Sequence, residues 1–106
     1  MILKTGVIFD AKAPLLYALW KAQIILESYG EVTVTSIRDG QHSERSLHYR
    51  GLAVDLRSKH LTQEQRHTAL IKLKRELGSD YDVLLESEGK PNEHFHIEYD
   101  PKGKTT

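Results

Sequence analysis

The sequence predicts an α+β domain, a small antiparallel or mixed sheet with two helices packed on it. Two stretches, about residues 14–29 and 62–77, repeat apolar residues at helical spacing. Four shorter stretches are rich in β-branched or alternating residues, and they are interspersed with the helices in an order that suits two layers around one core. A length of 106 residues gives room for one domain, assigned to residues 1–100, with 101–106 as a tail.

Gly6 to Asp10 reads as a short strand or an extended arm that ends before Ala11-Lys12-Ala13-Pro14. Proline suits a first helical turn, where its missing N–H would have no partner anyway. Leu15, Leu16, Leu19, Ala22, Ile25, Leu26 and Tyr29 then form a helical stripe that stops at Gly30, and this face, with Trp20 nearby, is expected to pack in the core. Val32 to Ile37 reads as a strand, after which Arg38-Asp39-Gly40 turns the chain into a polar loop reaching residue 50.

Leu52 to Leu56 is a further strand, entered through Gly51. Thr62-Gln63-Glu64-Gln65 matches a capping box, and Ala69, Leu70, Leu73 and Leu77 carry the helix it opens to Gly78. Tyr81 to Glu86 and His94 to Tyr99 are the last two strands, joined by the turn-forming residues Ser87 to Asn92 as a hairpin. The tail has little to bury and is expected to fray.

Fifteen basic and fifteen acidic residues cancel, with no long run of either sign, which argues against a nucleic-acid backbone or an anionic membrane as partner. Without cysteine there is no disulfide and no thiolate metal site, so the six histidines are the strong nitrogen donors of the chain. No apolar stretch approaches the roughly 18 residues of a membrane span or the core of a signal peptide, so cytoplasmic synthesis is expected.

The segments Ser46 to Asp55 and Glu93 to His96 contain the ligand inventory of a catalytic zinc site. His48, Asp55 and His96 would hold one Zn2+ and leave the fourth tetrahedral position open to water, with Glu93 the nearest carboxylate in sequence to take its proton. Alternate residues of a strand share a face, so His94 and His96 should point the same way, while Glu93 lies at the strand entrance. Period alone therefore pairs His94 with His96. His42, in the loop after the turn, is a candidate substrate contact, whereas His60 and His67 read as solvated side chains.

Ser46, His48, Gly51, Ala53 and Asp55 fill a Ser-x-His-x-x-Gly-x-Ala-x-Asp pattern, and Glu93 with His96 fills Glu-x-x-His downstream. Together they resemble the M15 family of zinc D-Ala-D-Ala carboxypeptidases and phage endolysins, with the hedgehog/DD-peptidase fold. The His94-x-His96 element is also similar to that of the lysostaphin-type peptidases. The resemblance implies zinc ligation by His48, Asp55 and His96 and a general base and acid at Glu93, with His94 as a further donor or replacement base. It also implies an oxyanion-binding arginine best matched by Arg38, with Arg45 and Arg50 as alternatives, and a substrate-contacting hydroxyl at Ser46.

The activity so implied is hydrolysis of peptidoglycan stem-peptide amides, the enzyme acting on the cell wall after release or virion delivery. Phe95 stands where the family often has tryptophan, and no cell-wall-binding module is recognisable. A non-hydrolytic zinc-stabilised binding module of the hedgehog-like kind is the alternative.

Overall fold

A computed structural model describes residues 1–38 and 47–101. Its elements are β1 (Ile2–Leu3), α1 (Ala13–Leu26), β2 (Thr33–Ser36), β3 (Ala53–Arg57), α2 (Gln63–Leu77), β4 (Tyr81–Glu86) and β5 (His94–Tyr99), with a 3₁₀ turn at Glu27–Tyr29. The α+β expectation holds, with a mixed five-stranded sheet in the order β1-β2-β3-β5-β4. β1 runs parallel to β2, and every other neighbouring pair is antiparallel.

The alternation of side chains along the strands divides the sheet into two faces with different tasks. Val54 and Leu56 of β3, Phe95 and Ile97 of β5 and Val83 of β4 turn to one side, where Leu15, Leu19 and Leu26 of α1 and Ala69, Leu73 and Leu77 of α2 close over them. Asp55 and Arg57, His94, His96 and Glu98, and Asp82 and Glu86 turn to the other side. That face bears no helix and carries the titratable groups discussed below.

Helix boundaries follow the sequence signals. Thr62 and Gln65 form the reciprocal capping box, with Gln65 N–H donating to Thr62 Oγ1 (3.1 Å) and Thr62 N–H to Gln65 Oε1 (2.9 Å). Pro14 occupies the first turn of α1. One strand is added to the expected set, and one residue of the expected core stripe is corrected. The N-terminal strand is at Ile2–Leu3, because Ile2 N–H donates to Val32 and Lys4 N–H to Val34 across the sheet edge, and the residues after Gly6 form an extended arm without a strand. Leu16 of the expected stripe is not in the core but 47% exposed, beside exposed Tyr17, Trp20 and Ile24, so α1 is apolar on more than its buried face.

No helix among the described residues is long and apolar enough to cross a membrane.

Candidate metal centre

Asp55 and His96 face each other across the β3–β5 pairing, one from each strand, so the sheet register itself brings them together. His96 Nδ1 lies 3.0 Å from Asp55 Oδ1. His48 arrives from the turn before β3, where Gly51 N–H donates to His48 O and Leu52 N–H to Leu47 O. Its Nε2 stands 3.2 Å from the same Asp55 oxygen and 3.4 Å from His96 Nδ1. Gly51 makes this approach possible: its φ of +70° is left-handed, and a Cβ there would fall 2.2 Å from the Asp10 carbonyl oxygen.

Three donor atoms from three separate segments thus form a triangle with edges of 3.0, 3.2 and 3.4 Å. A tetrahedral zinc with ligand bonds of about 2.0–2.1 Å holds its ligand atoms about 3.3–3.4 Å apart. The donor set therefore fits a metal ion in both chemistry and spacing.

The outward nitrogens are fixed as well. His48 Nδ1 donates to the buried Ile37 carbonyl (2.7 Å), and His96 Nε2 donates to Glu98 Oε1 (2.7 Å). Each hydrogen bond fixes its ring's orientation and aims the other nitrogen into the triangle, the arrangement by which a supporting carboxylate or carbonyl prepares a histidine ligand.

The electrostatics agree. Burial alone would raise the Asp55 pKa, yet hydrogen bonds from His48 and His96 hold it well below the ordinary carboxylate range. Burial would likewise lower that of His96, but its bonds to Asp55 and Glu98 push it up to about 9. A cation binding at His96 Nδ1 therefore replaces a proton, and the affinity of the site for that cation rises with pH up to that value.

A second group shares two of these residues. Donor atoms of Asp55, Glu86, His94 and His96 lie within 4.8 Å of one another. His94 Nε2 is 3.6 Å from Asp55 Oδ1, and Glu86 Oε1 is 3.4 Å from both His94 Nε2 and His96 Nδ1. The triangle with His48 is the tighter set and is the more deeply buried, which makes it the better cage; Glu86 and His94 stand at its more open side. His94 Nδ1 donates to the Asn92 carbonyl (2.8 Å), which leaves the lone pair on Nε2, facing the cluster.

Glu93 is not joined to this group by any hydrogen bond or ion pair among the described residues. It shares its strand face with Phe95 and is buried, and its carboxylate accepts from Ser58 Oγ (2.6 Å), Gly89 N–H (3.0 Å) and Arg66 (3.1 Å). Despite burial, those bonds and the Arg66 charge keep it ionised below its usual range. It borders the cavity that Asp55 and His94 line, but with its oxygens already engaged. Glu93→Gln is thus expected to lower the stability of the metal-free protein by about 1–3 kcal/mol while zinc still binds. Thermal melts with metal analysis check this, and an unchanged melting temperature would mean that the network contributes nothing to the fold.

Arg38 also sits elsewhere. Its guanidinium donates to Asp10 Oδ2 (2.9 Å), and it lines a separate cavity with Lys12, Tyr49, Arg50 and Leu52. Ser46 and His42, like Arg45, lie outside the described residues. His67 pairs with Glu88 on the surface (2.7 Å), and His60 lies against Gly30, both away from the cluster.

Three residues were missed by sequence reasoning: Glu86, Glu98 and Arg57. Glu98 and Arg57 were accessible through the same two-residue alternation that pairs His94 with His96 and that runs 55–57 along β3. Glu86 enters only through the β4–β5 register, in which it is paired with His94.

The chain matches no known family model and no curated protein sequence.

Proposed function

We propose that this protein is a zinc-dependent peptidase acting on peptidoglycan stem-peptide amides. The observation that carries the metal-dependent part is the triangle of His48 Nε2, Asp55 Oδ1 and His96 Nδ1, with both outward nitrogens tied to acceptors. The peptidoglycan substrate rests on the sequence pattern alone.

Zinc bound there supplies Lewis acidity toward a carbonyl oxygen and toward water. The chain's own part is to hold the ion from one side and to handle protons on the other. His94 Nε2, with its lone pair directed at the cluster, takes the proton of the attacking water and returns it to the leaving amine nitrogen, so that one amide and one water give one carboxylate and one amine. Glu86 Oε1 lies 3.4 Å from that nitrogen. Glu93 acts by fixing the entrance of β5 through Ser58, Gly89 and Arg66, which positions His94 one residue later.

The test is release of amines and peptide fragments from purified peptidoglycan by the zinc-loaded protein, with His94→Ala as the comparison. The variant is expected to keep one zinc per chain and to lose at least about 100-fold in turnover. Cleavage that survives in His94→Ala but fails in Glu93→Gln, measured per folded molecule, would return the proton-transfer role to Glu93.

One observation favours a second reading, the zinc-stabilised binding module. A free carboxylate beside an open metal position is the mark of a hydrolase, and the Glu93 carboxylate already has three donors. Zinc binding without cleavage of several wall types would support this reading.

A further inference from the structure

We propose that Arg57, flanked by Lys4 and Lys59, forms an anion subsite beside the candidate metal centre and receives a carboxylate carried by the peptide substrate about two residues from the scissile bond. This deepens the peptidase reading and rests on it for the word substrate.

Arg57 lies two residues beyond Asp55 on β3, on the same face of the sheet, and is paired across the sheet with His94. The rise of a strand puts those two positions about 7 Å apart, roughly the span of two residues in an extended peptide. Asp55, His94, Arg57, Lys59 and Lys4 line one cavity of about 350 Å3, so a molecule bound over the histidines lies within reach of the cations.

The cavity also contains two carboxylates, but both are committed. Asp55 is turned to His48 and His96, and Glu93 is neutralised by Arg66 and its two other donors. Lys59 Nζ donates to the Pro91 carbonyl, and its charge also acts on the Glu93 carboxylate, so Lys59 contributes less to the subsite than Arg57 does. Neither the Arg57 guanidinium nor the Lys4 ammonium meets a carboxylate among the described residues, although the chain as a whole carries as many acids as bases.

An arginine that meets no carboxylate among the described residues, at the wall of a polar cavity next to a histidine–aspartate cluster, presents a planar fork suited to bidentate capture of a carboxylate. The sheet fixes its Cα relative to Asp55, so the distance between the bound anion and the reacting carbonyl is set by the backbone. The same charge accounts for selectivity. Arg57 is exposed, so a neutral peptide end leaves it to water, whereas an anionic end gives it a charged partner.

The experiment compares a stem-type tripeptide ending in a free carboxylate with the same peptide ending in a carboxamide, on zinc-loaded wild type and Arg57→Gln. Binding is measured by calorimetry and cleavage by kcat and KM. Wild type is expected to bind the carboxylate form at least about tenfold more tightly, and to show that preference in KM if it cleaves. In Arg57→Gln the ratio falls to near one with zinc content unchanged, and Arg57→Lys recovers part of it.

Tighter binding of the carboxylate peptide that depends on Arg57, without cleavage of either peptide, would uphold the subsite and sink the peptidase reading. Equal affinity of wild type for the two peptides, no detectable binding of either, or an undiminished preference in Arg57→Gln would overturn the subsite whether or not cleavage occurs.

Discussion

Asp55→Ala is expected to abolish the one-to-one zinc binding proposed for this site while leaving the fold in place. Asp55 Oδ1 is the common vertex of the cluster, 3.0 Å from His96 Nδ1, 3.2 Å from His48 Nε2 and 3.6 Å from His94 Nε2. Its removal deletes one ligand and also the negative charge that draws the imidazoles together. The side chain lies on the helix-free face, so the apolar core formed by Leu56, Phe95 and the helices is untouched.

A ligand that binds only the folded state stabilises it by about 4 kcal/mol at a thousandfold excess over its dissociation constant. For a domain near this size that is upwards of about 10 °C in Tm. Wild type should show such a shift on adding zinc and Asp55→Ala none, with elemental analysis giving one ion per chain against essentially zero. A full zinc-induced shift in the variant would show that the ion sits elsewhere.

Gly51→Ala has the largest expected effect on the fold. The added methyl carbon would meet the Asp10 carbonyl oxygen at 2.2 Å, and that oxygen is backbone, so it cannot swing aside as a side chain would. The left-handed φ of +70° adds a conformational cost of its own. Lys12 N–H also donates to the Gly51 carbonyl (2.9 Å), tying the start of α1 to this turn. Together the clash and the strain are worth about 2–4 kcal/mol.

The damage extends to function, because the displaced turn carries His48 three residues earlier. Gly51→Ala should therefore lower both Tm and zinc affinity, whereas Gly78→Ala, where a Cβ would meet nothing within 4 Å, pays only the φ cost. Equal effects of the two substitutions on zinc affinity would remove the argument from close approach.

The sequence was most legible where short-range chemistry decides. The Thr62–Gln65 capping box, the stop at Gly78 and the hairpin strands at 81–86 and 94–99 all depend on residues within a few positions of one another, and all are present. The alternation of His94 with His96 followed from the geometry of one strand. Its partnership with Asp55 did not, because the β3–β5 register joins segments some forty residues apart and no local preference fixes it.

β1 escaped for the same reason: two residues become a strand only because β2 offers a free edge. The direction of Glu93 was legible from the alternation 93–95–97, since Phe95 and Ile97 had to face the core. The Glu-x-x-His pattern directed attention to spacing from His96 instead. The exposure of Leu16 was not legible because a helix apolar on several sides does not reveal by period which side the sheet will cover.

The division of the sheet into two faces bears on how such a protein changes over generations. Odd and even positions of β3, β4 and β5 answer to different selective pressures: one set keeps the chain folded, and the other decides what the surface does. A substitution at Asp82, Leu84, Glu86 or Arg57 alters charge and ligand preference without opening a void under the helices, so new specificities can be sampled by single steps that each remain viable. Away from Asp55, His94, His96 and the Glu98 that holds His96, drift on this face is cheap, and drift on the other is not.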